Sequence, residues 1–162
     1  MNEDPAAYLP PGLPIPVSEP DGLSAPYWAG LQQNRLLVQR CDHCATWQFG
    51  PEWICHSCHA FELTWTEIEP AGRIFSWERV WHPSHAALKA RGPYLAILVE
   101  LPHAGDVRMV GNLLGDPQQS FAIGDEVEGV FEHHQDADPA YSLLHWRVVR
   151  RTARGGEEGQ TG

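Results

Sequence analysis

Four cysteines, the whole thiol content of the chain, lie within CDHCATWQFGPEWICHSC, where they form two CxxC pairs. Each pair places two sulfurs on one tight turn, and the segment ATWQFGPEWI between the pairs is long enough to run out and back as a hairpin. Tetrahedral Zn²⁺ takes four sulfur ligands at about 2.3 Å, and iron accepts a similar tetrahedral sulfur set. The spacing therefore predicts one bound metal ion, zinc or iron, with the ligands Cys41, Cys44, Cys55 and Cys58.

The four-cysteine ligand set indicates a structural ion rather than a catalytic one, because four thiolates leave no open position for water. His43, His56 and His59 are therefore expected to face solvent or to lie behind the ligands. Glycine often follows the second cysteine of such a turn, where φ is positive, but this chain has Ala45 and His59 there, which predicts strained or looser turns. The alternative is four free or disulfide-paired thiols.

The composition is that of a globular protein. Hydrophobic residues make up 43% and charged residues 20%, which is enough to bury a core, and no apolar run is long enough to cross a membrane. The formal charge is −10 and Lys89 is the only lysine, which disfavours a general nucleic-acid binder. The first residues, MNEDPAAYLP, lack the apolar stretch of a secretory signal. A cytoplasmic location is therefore expected, and disulfides explain the cysteines poorly.

The segments before the cysteines are expected to be an extended arm, a short helix and a strand that positions Cys41. Residues 1–23 contain six prolines and favour an extended arm, which is either a disordered leader or lies on a partner or on its own domain. Ser24 is a candidate N-cap and Pro26 suits a first helical turn, so a short helix is expected over 25–34. Residues 36–38 are expected to form a strand that leads into Cys41.

The chain after the cysteines is expected to be mainly β. Five runs are rich in β-branched and aromatic residues and are separated by Gly, Pro, Asp or Asn. Short strands without a long helix among them predict a small closed barrel or a sandwich. The runs are GRIFSWERVW (72–81), PYLAILVEL (93–101), DVRMVGNLL (106–114), DEVEGVFEH (125–133) and YSLLHWRVV (141–149).

The order of these parts resembles the family known as domain of unknown function 35. The resemblance rests on PYWAGLQQNRL, LLVQRCDHC, WQFGPEWICHSC, GRIFSW, PYLAILVEL and IGDEVEGVFE, and it covers residues 24–150. It implies a rubredoxin-like zinc ribbon followed by a five-stranded OB-fold barrel. The domains are then an arm (1–23), the helix and zinc ribbon (24–70), the OB-fold barrel (71–150) and a disordered tail (151–162).

The resemblance also implies an accessory role in acyl-CoA chemistry. Proteins of this family associate with thiolase-like enzymes, among them acyl-CoA synthases and steroid-CoA aldolases, and some are fused to hydratase domains. The function expected from it is a non-catalytic subunit of a hetero-oligomer that helps bind or present acyl-CoA thioesters. The alternative is a single-stranded nucleic-acid-binding module, because a zinc ribbon and an OB-fold with many aromatic residues suit base stacking. A stand-alone enzyme is the weakest hypothesis, since no catalytic motif is present.

Outside the cysteines, two groups of residues are candidates for binding. Lys89 and Arg91, in the loop HPSHAALKARG, could bind the phosphates of CoA, although a solvated loop is the plainer interpretation. Four aromatic residues are candidates for a partner interface or, alternatively, for the core: Tyr27, Trp28, Trp77 and Trp81.

The last two strands carry further polar residues. Glu126, Glu128 and Glu132 are expected to form a solvated acidic side of their strand. His134 is expected to be exposed, and His145 to be packed in the last strand.

Overall fold

Residues 8–150 are described by this computed structural model, in which they form eight strands and two α-helices. Helix α1 (Ala25–Gln32) begins after Ser24, whose side chain makes no capping hydrogen bond, and has a proline in its first turn. It ends earlier than the predicted residue 34, because Asn34 adopts a left-handed conformation with φ of 57°. None of the helices in this described region is long and apolar enough to cross a membrane.

A small antiparallel sheet follows α1, with Cys41 at the end of its first strand and the other three cysteines outside its strands. Its strands are β1 (Leu36–Cys41), β2 (Trp47–Gln48) and β3 (Leu63–Ile68), in the spatial order β2-β1-β3. Strand β3 pairs with β1 along its whole length, from Leu36 opposite Ile68 to Cys41 opposite Leu63. Strand β3 was not predicted from the sequence, because only one of its residues is buried and its pattern has little apolar periodicity.

The second sheet contains the five strands that the sequence predicted, so the mainly β fold is confirmed. They are β4 (Ala71–Val80), β5 (Tyr94–Leu101), β6 (Val107–Asn112), β7 (Glu126–His134) and β8 (Tyr141–Arg150), in the order β6-β5-β4-β7-β8. The sheet curls until its two ends meet at a parallel bridge between Leu113 and Trp146, where the Leu114 N–H donates to the Trp146 carbonyl at 2.8 Å. This closure makes it the partly open barrel of an OB-fold rather than a sandwich.

Alternating side chains of β5 form the centre of the barrel. Leu95, Ile97, Val99 and Leu101 are all buried, and the fully buried indole of Trp146 fills the closing seam. The core continues without interruption into α1 and the small sheet through Leu31, Leu36, Val38 and Ile68. The two sheets therefore share one hydrophobic core.

The connection between the two sheets is short. Strand β3 ends at Ile68 and β4 begins at Ala71. The carbonyl of Pro70 accepts a hydrogen bond from the Gly129 N–H of β7 at 2.6 Å, and a Cβ at Gly129 would lie 2.7 Å from the Cβ of Pro70. Glycine is needed there because β7 approaches the linker so closely.

The described part of the proline-rich arm, residues 8–23, lies on the chain's own barrel. It passes over the outer face of β7 and β8 and close to the short helix α2 (Ala86–Lys89) before it reaches α1. Residues 1–7 of the predicted arm and the predicted tail at 151–162 lie outside the described residues.

Candidate metal centre and partner surface

The four cysteine sulfurs come together beside the small sheet, where Cys41 ends β1 and the other three cysteines lie in turns. Each lies within 4.8 Å of the others, and the pairs Cys41–Cys58 and Cys44–Cys55 are both separated by 3.6 Å between Sγ atoms. Four sulfurs at about 2.3 Å from one ion would be about 3.8 Å apart, whereas a disulfide requires about 2.05 Å. The four thiols are free, so the cluster fits a tetrahedral ion and not disulfides.

The two CxxC turns repeat one backbone pattern. The Cys41 N–H donates to the Thr46 carbonyl at 2.9 Å, as the Cys55 N–H does to the Ala60 carbonyl at 2.8 Å. Each turn also has an amide donor to sulfur at 3.4 Å, but at different positions: the Cys44 N–H donates to Cys41 Sγ three residues back, and the Ser57 N–H donates to Cys55 Sγ two residues back. Amide donors of this kind stabilise negative charge on sulfur and therefore favour the thiolate form that binds metal.

The residue after each CxxC pair is left-handed, as the sequence suggested. Ala45 has φ of 60° and His59 has φ of 62°. A non-glycine residue in this region costs roughly 1–2 kcal/mol, so both turns carry backbone strain. The side chains of His43, His56 and His59 are exposed, which confirms their expected solvent-facing positions.

Two buried glutamines brace the hairpin between the cysteine pairs. Gln39 Oε1 accepts from the Glu52 N–H at 3.0 Å and from Gln48 Nε2 at 3.3 Å, and Gln48 Oε1 accepts from the His56 N–H at 3.3 Å. Sequence reasoning missed this pair. The available signal was that both glutamines occupy strand positions that face each other, Gln39 in β1 and Gln48 in β2.

The aromatic residues of β4 and Trp81, which directly follows the strand, are exposed, so their interpretation as barrel core is wrong. The exposed fraction is 41% for Trp77 and 54% for Trp81. The guanidinium of Arg79 lies 5.6 Å from both indole rings, and Trp77 packs edge-on against Phe121 at 4.9 Å between ring centroids. Strand β5 pairs with β4 as far as Val80, whereas the pairing of β7 with β4 covers only residues 71–73. Among the described strands, the β7 edge of β4 is therefore unpaired where Trp77 lies.

The aromatic residues of α1 have a different environment. Tyr27 and Trp28 are half-buried and pack against the shared core, with Tyr27 edge-on to Trp28 at 5.3 Å and to Phe49 at 5.6 Å. Burial raises the pKa of Tyr27 to about 12. The structure therefore brings Trp77 and Trp81 together at one surface and places Tyr27 and Trp28 elsewhere, mostly in packing contacts.

Two aromatic residues of the ribbon are also exposed, one between the cysteine pairs and one after them. The exposed fraction is 58% for Trp53 and 72% for Phe61. Trp47 and Phe49, by contrast, pack against the core. Trp53 and Phe61 lie outside the three strands of the small sheet.

Lys89 and Arg91 are both exposed, at the end of α2 and just after it. Arg91 lines a cavity of about 210 Å³ together with Tyr94 and Asn112, and its guanidinium lies 5.1 Å from the centre of the Tyr8 ring. Lys89 does not line this cavity. The two candidate phosphate ligands are thus near each other in the chain but do not share the cavity.

A buried polar cluster on β7 and β8 was not predicted. Glu132 is only 5% exposed, so its expected place on a solvated acidic side is wrong. Its carboxylate accepts hydrogen bonds from His134 Nε2 at 2.7 Å, His145 Nε2 at 3.0 Å and the Tyr8 backbone N–H at 2.8 Å. Burial alone would raise the pKa of Glu132, but these hydrogen bonds, with His145 first, outweigh it and lower the pKa to about 2.

The histidines of this cluster differ from one another. His145 is buried, as expected, and donates to Glu132 through one ring nitrogen while the other lies 3.4 Å from Asn112 Nδ2. His134 is half-buried rather than exposed and stacks on Tyr141 with 4.4 Å between ring centroids. All three side chains lie under or beside the proline-rich arm, which supplies the cover that the strand pattern alone does not contain.

A four-cysteine ribbon joined to a five-stranded closed sheet defines the class of zinc ribbon and OB-fold proteins, and comparison with known proteins agrees. Residues 28–64 match the ChsH2 rubredoxin-like zinc ribbon domain, and residues 65–132 match the ChsH2 C-terminal OB-fold domain. One chain of the solved Ltp2-ChsH2(DUF35) aldolase is 30% identical, with a TM-score of 0.68 over 83% of this chain and 98% of that chain. The protein belongs to the ChsH2 family of domain of unknown function 35 proteins.

Two further similarities have narrower meaning. A domain of unknown function 35 protein of Sulfolobus solfataricus is 16% identical, with a TM-score of 0.56 over 82% of this chain and 87% of that one, and shares the fold. A probable enoyl-CoA hydratase alpha subunit of Thermomonospora curvata is 33% identical over 121 residues, which are 75% of this chain. The chain spans 36% of the length of that relative.

Proposed function

We propose that this protein is a non-catalytic accessory subunit that binds a thiolase-like enzyme and helps bind or present acyl-CoA thioesters. The observation that carries the proposal is the 30% identity along 98% of a chain from the Ltp2-ChsH2(DUF35) aldolase, a protein named for its pairing of ChsH2 with an aldolase. The relative named as an enoyl-CoA hydratase subunit supports the same area of chemistry. The partner of this chain would be a thiolase, an acyl-CoA synthase or a steroid-CoA aldolase in the cytoplasm.

The four cysteines would hold one Zn²⁺ as a structural ion. The sulfur separations and the amide donor to sulfur in each turn support this assignment, and iron is the alternative metal for the same ligands. Metal analysis of the protein as isolated distinguishes zinc from iron.

Trp77 and Trp81 are the proposed anchors of the partner interface. Exposed tryptophan beside arginine is typical of residues that dominate binding energy, and here Arg79 lies against both indoles. Arg91, with Lys89 nearby, would bind the phosphates of CoA. Tyr27 and Trp28 would contribute mainly by supporting α1, because the core already covers much of both side chains.

Co-expression with a thiolase-type aldolase subunit from the same genome tests the proposal. The wild-type chain should co-purify as a complex of defined mass by light scattering, and Trp77→Ala with Trp81→Ala should weaken it at least about tenfold. Val149→Ala, at an apolar residue that is 53% exposed on the barrel, is the matched control and should have no effect.

Two results would contradict the proposal at different levels. Separate migration of the two proteins, or turnover of an acyl-CoA thioester by this chain alone, would contradict the accessory function. Loss of the complex in Trp53→Ala with Phe61→Ala, but not in the Trp77 and Trp81 variant, would keep the function and move the interface to the ribbon.

A further inference from the structure

A groove runs along the outer face of β7 and β8, and the proline-rich arm lies in it. Glu132 faces Leu143 and His134 faces Tyr141 across the two strands, on the side opposite the barrel core. Residues 9–14 and Pro16 line a cavity of about 540 Å³ whose other wall is His134, Tyr141 and Leu143. The stacked rings of His134 and Tyr141 give the groove the aromatic wall that extended proline-rich peptides bind.

The arm has one polar anchor, Tyr8. Its backbone N–H donates to Glu132 Oε2 at 2.8 Å and its hydroxyl donates to the Leu113 carbonyl at 3.4 Å. Its ring centre lies 5.2 Å from that of His145 and 5.1 Å from the guanidinium carbon of Arg91. An aromatic residue with a free backbone N–H is therefore recognised by its ring and by its main chain together.

The barrel alone positions the Glu132 carboxylate that accepts the hydrogen bond from Tyr8. His134 donates to Glu132 Oε1 and His145 donates to Glu132 Oε2, so both carboxylate oxygens are held in place by β7 and β8. His145 is held in turn by Asn112 of β6. The carboxylate is thus fixed in position with room for one more donor, which is the role that the Tyr8 N–H takes.

The remainder of the arm is held loosely. Within the described residues, the segment 9–17 makes no hydrogen bond to the barrel, and four of its residues are prolines without an N–H. Cavities of about 210 and 540 Å³ lie between the arm and the barrel. A segment with one anchor and loose packing along the rest of its length can leave its site at low cost.

We infer that the outer groove of β7 and β8 is a recognition site for an extended, proline-rich peptide that presents an aromatic residue with a free backbone N–H. Residues 8–17 of the same chain occupy it and are exchangeable. Occupancy also supports the loop that carries Arg91, because Leu88 and Arg91 line the smaller cavity with Tyr8, and a Cβ at Gly12 would lie 3.9 Å from Ala87. The inference concerns the arm and barrel alone and does not depend on the proposed enzyme partner.

Competition between the arm and an added peptide tests the inference on the full chain. The probe is a fluorescein-labelled, N-acetylated peptide of residues 6–17, AAYLPPGLPIPV, followed by fluorescence anisotropy. Tyr8→Ala in the protein weakens its own arm, so the peptide should bind that variant about tenfold more tightly than the wild-type chain. Equal binding to both, or binding to neither, would overturn the inference.

Two matched variants show whether the peptide uses the proposed anchor. In the Tyr8→Ala chain, Glu132→Gln should remove most of the gained affinity, whereas Glu128→Gln, on the same strand and paired with exposed Arg147, should leave it unchanged. If Glu132→Gln unfolds, a peptide with alanine in place of tyrosine replaces it and should bind about tenfold more weakly. A wild-type chain that becomes dimeric with rising concentration would overturn occupancy by the same chain in favour of exchange between two copies.

Discussion

The ribbon and the barrel are organised by different forces. The ribbon's interior consists of four sulfurs and the amide side chains of Gln39 and Gln48, with few apolar residues of its own. The barrel's interior is apolar, from Leu95 on β5 to Trp146 on β8. A strand pair and two turns bury too little surface to hold one conformation, so the ribbon depends on an ion where the barrel depends on hydrophobic burial.

Removal of a metal ligand should have the largest effect, and this effect should be confined to the ribbon. Cys41→Ser, like Cys58→Ser, should abolish metal binding and with it a contribution of roughly 10–16 kcal/mol. Hydrogen exchange should then increase across residues 36–68 and change little in β5 to β8. His43→Ala, at an exposed neighbour of the ligands, is the control. One equivalent of zinc retained by both serine variants would contradict the four-sulfur site.

A cavity in the barrel should produce the converse effect. Ile97→Ala removes a side chain that is 2% exposed and should lower the free energy of unfolding by about 2–5 kcal/mol. Urea denaturation measures the loss, and metal content should stay at the wild-type level. Val110→Ala on the adjacent strand, where the side chain is 74% exposed, should change stability by less than about 0.5 kcal/mol. Loss of metal from the Ile97 variant would mean that the two regions do not differ as described.

The carboxylate cluster under the arm should make the barrel sensitive to acid. The pKa of Glu132 is lowered from 4.5 to about 2 in the folded chain. Its stabilising contribution is therefore complete above about pH 4.5 and is lost as the pH falls towards about 2. Urea midpoints measured at about pH 5 and pH 3 should differ less in Glu132→Gln than in the wild type, with Glu128→Gln behaving as wild type. The same difference in all three proteins would rule out Glu132 as the cause.

The smallest expected effect is relief of strain in the ribbon. Ala45→Gly removes a left-handed cost of roughly 1–2 kcal/mol and adds an entropic cost of roughly 0.5–1 kcal/mol, so a net gain of up to about 1.5 kcal/mol is expected. Ala60→Gly, at a ribbon residue without positive φ, should instead lose stability. Thermal unfolding of the metal-bound protein compares them, and a loss in both variants would contradict the strained turn.

Local patterns were sufficient for much of the fold. Two CxxC pairs set the spacing of the metal ligands. Strand β5 alternates buried and partly buried residues, as a strand with one face towards the core does. The left-handed turns at Ala45 and His59 also followed from the position alone. In each case the cause and the effect lie within a few residues of each other.

What the sequence could not predict depends on contacts between distant residues. Glu132 is buried because Tyr8, 124 positions away in the chain, covers it. Trp77 is exposed at a part of β4 where the pairing with β7 has already ended, beyond a bulge between Ile74 and Ser76 that shifts the register with β5. Neither fact is present in the period of the local pattern, which indicates only that one side of a strand is apolar.

The close contact between Pro70 and Gly129 has a mechanical consequence. The linker between the two sheets is two residues long, is hydrogen-bonded to β7 and touches it where a side chain would not fit. It therefore offers no pivot, and the shared core on either side of it resists shear. A protein that binds the ribbon and rotates it would therefore rotate the barrel by the same angle, and Trp77 and Trp81 would move with the cysteines.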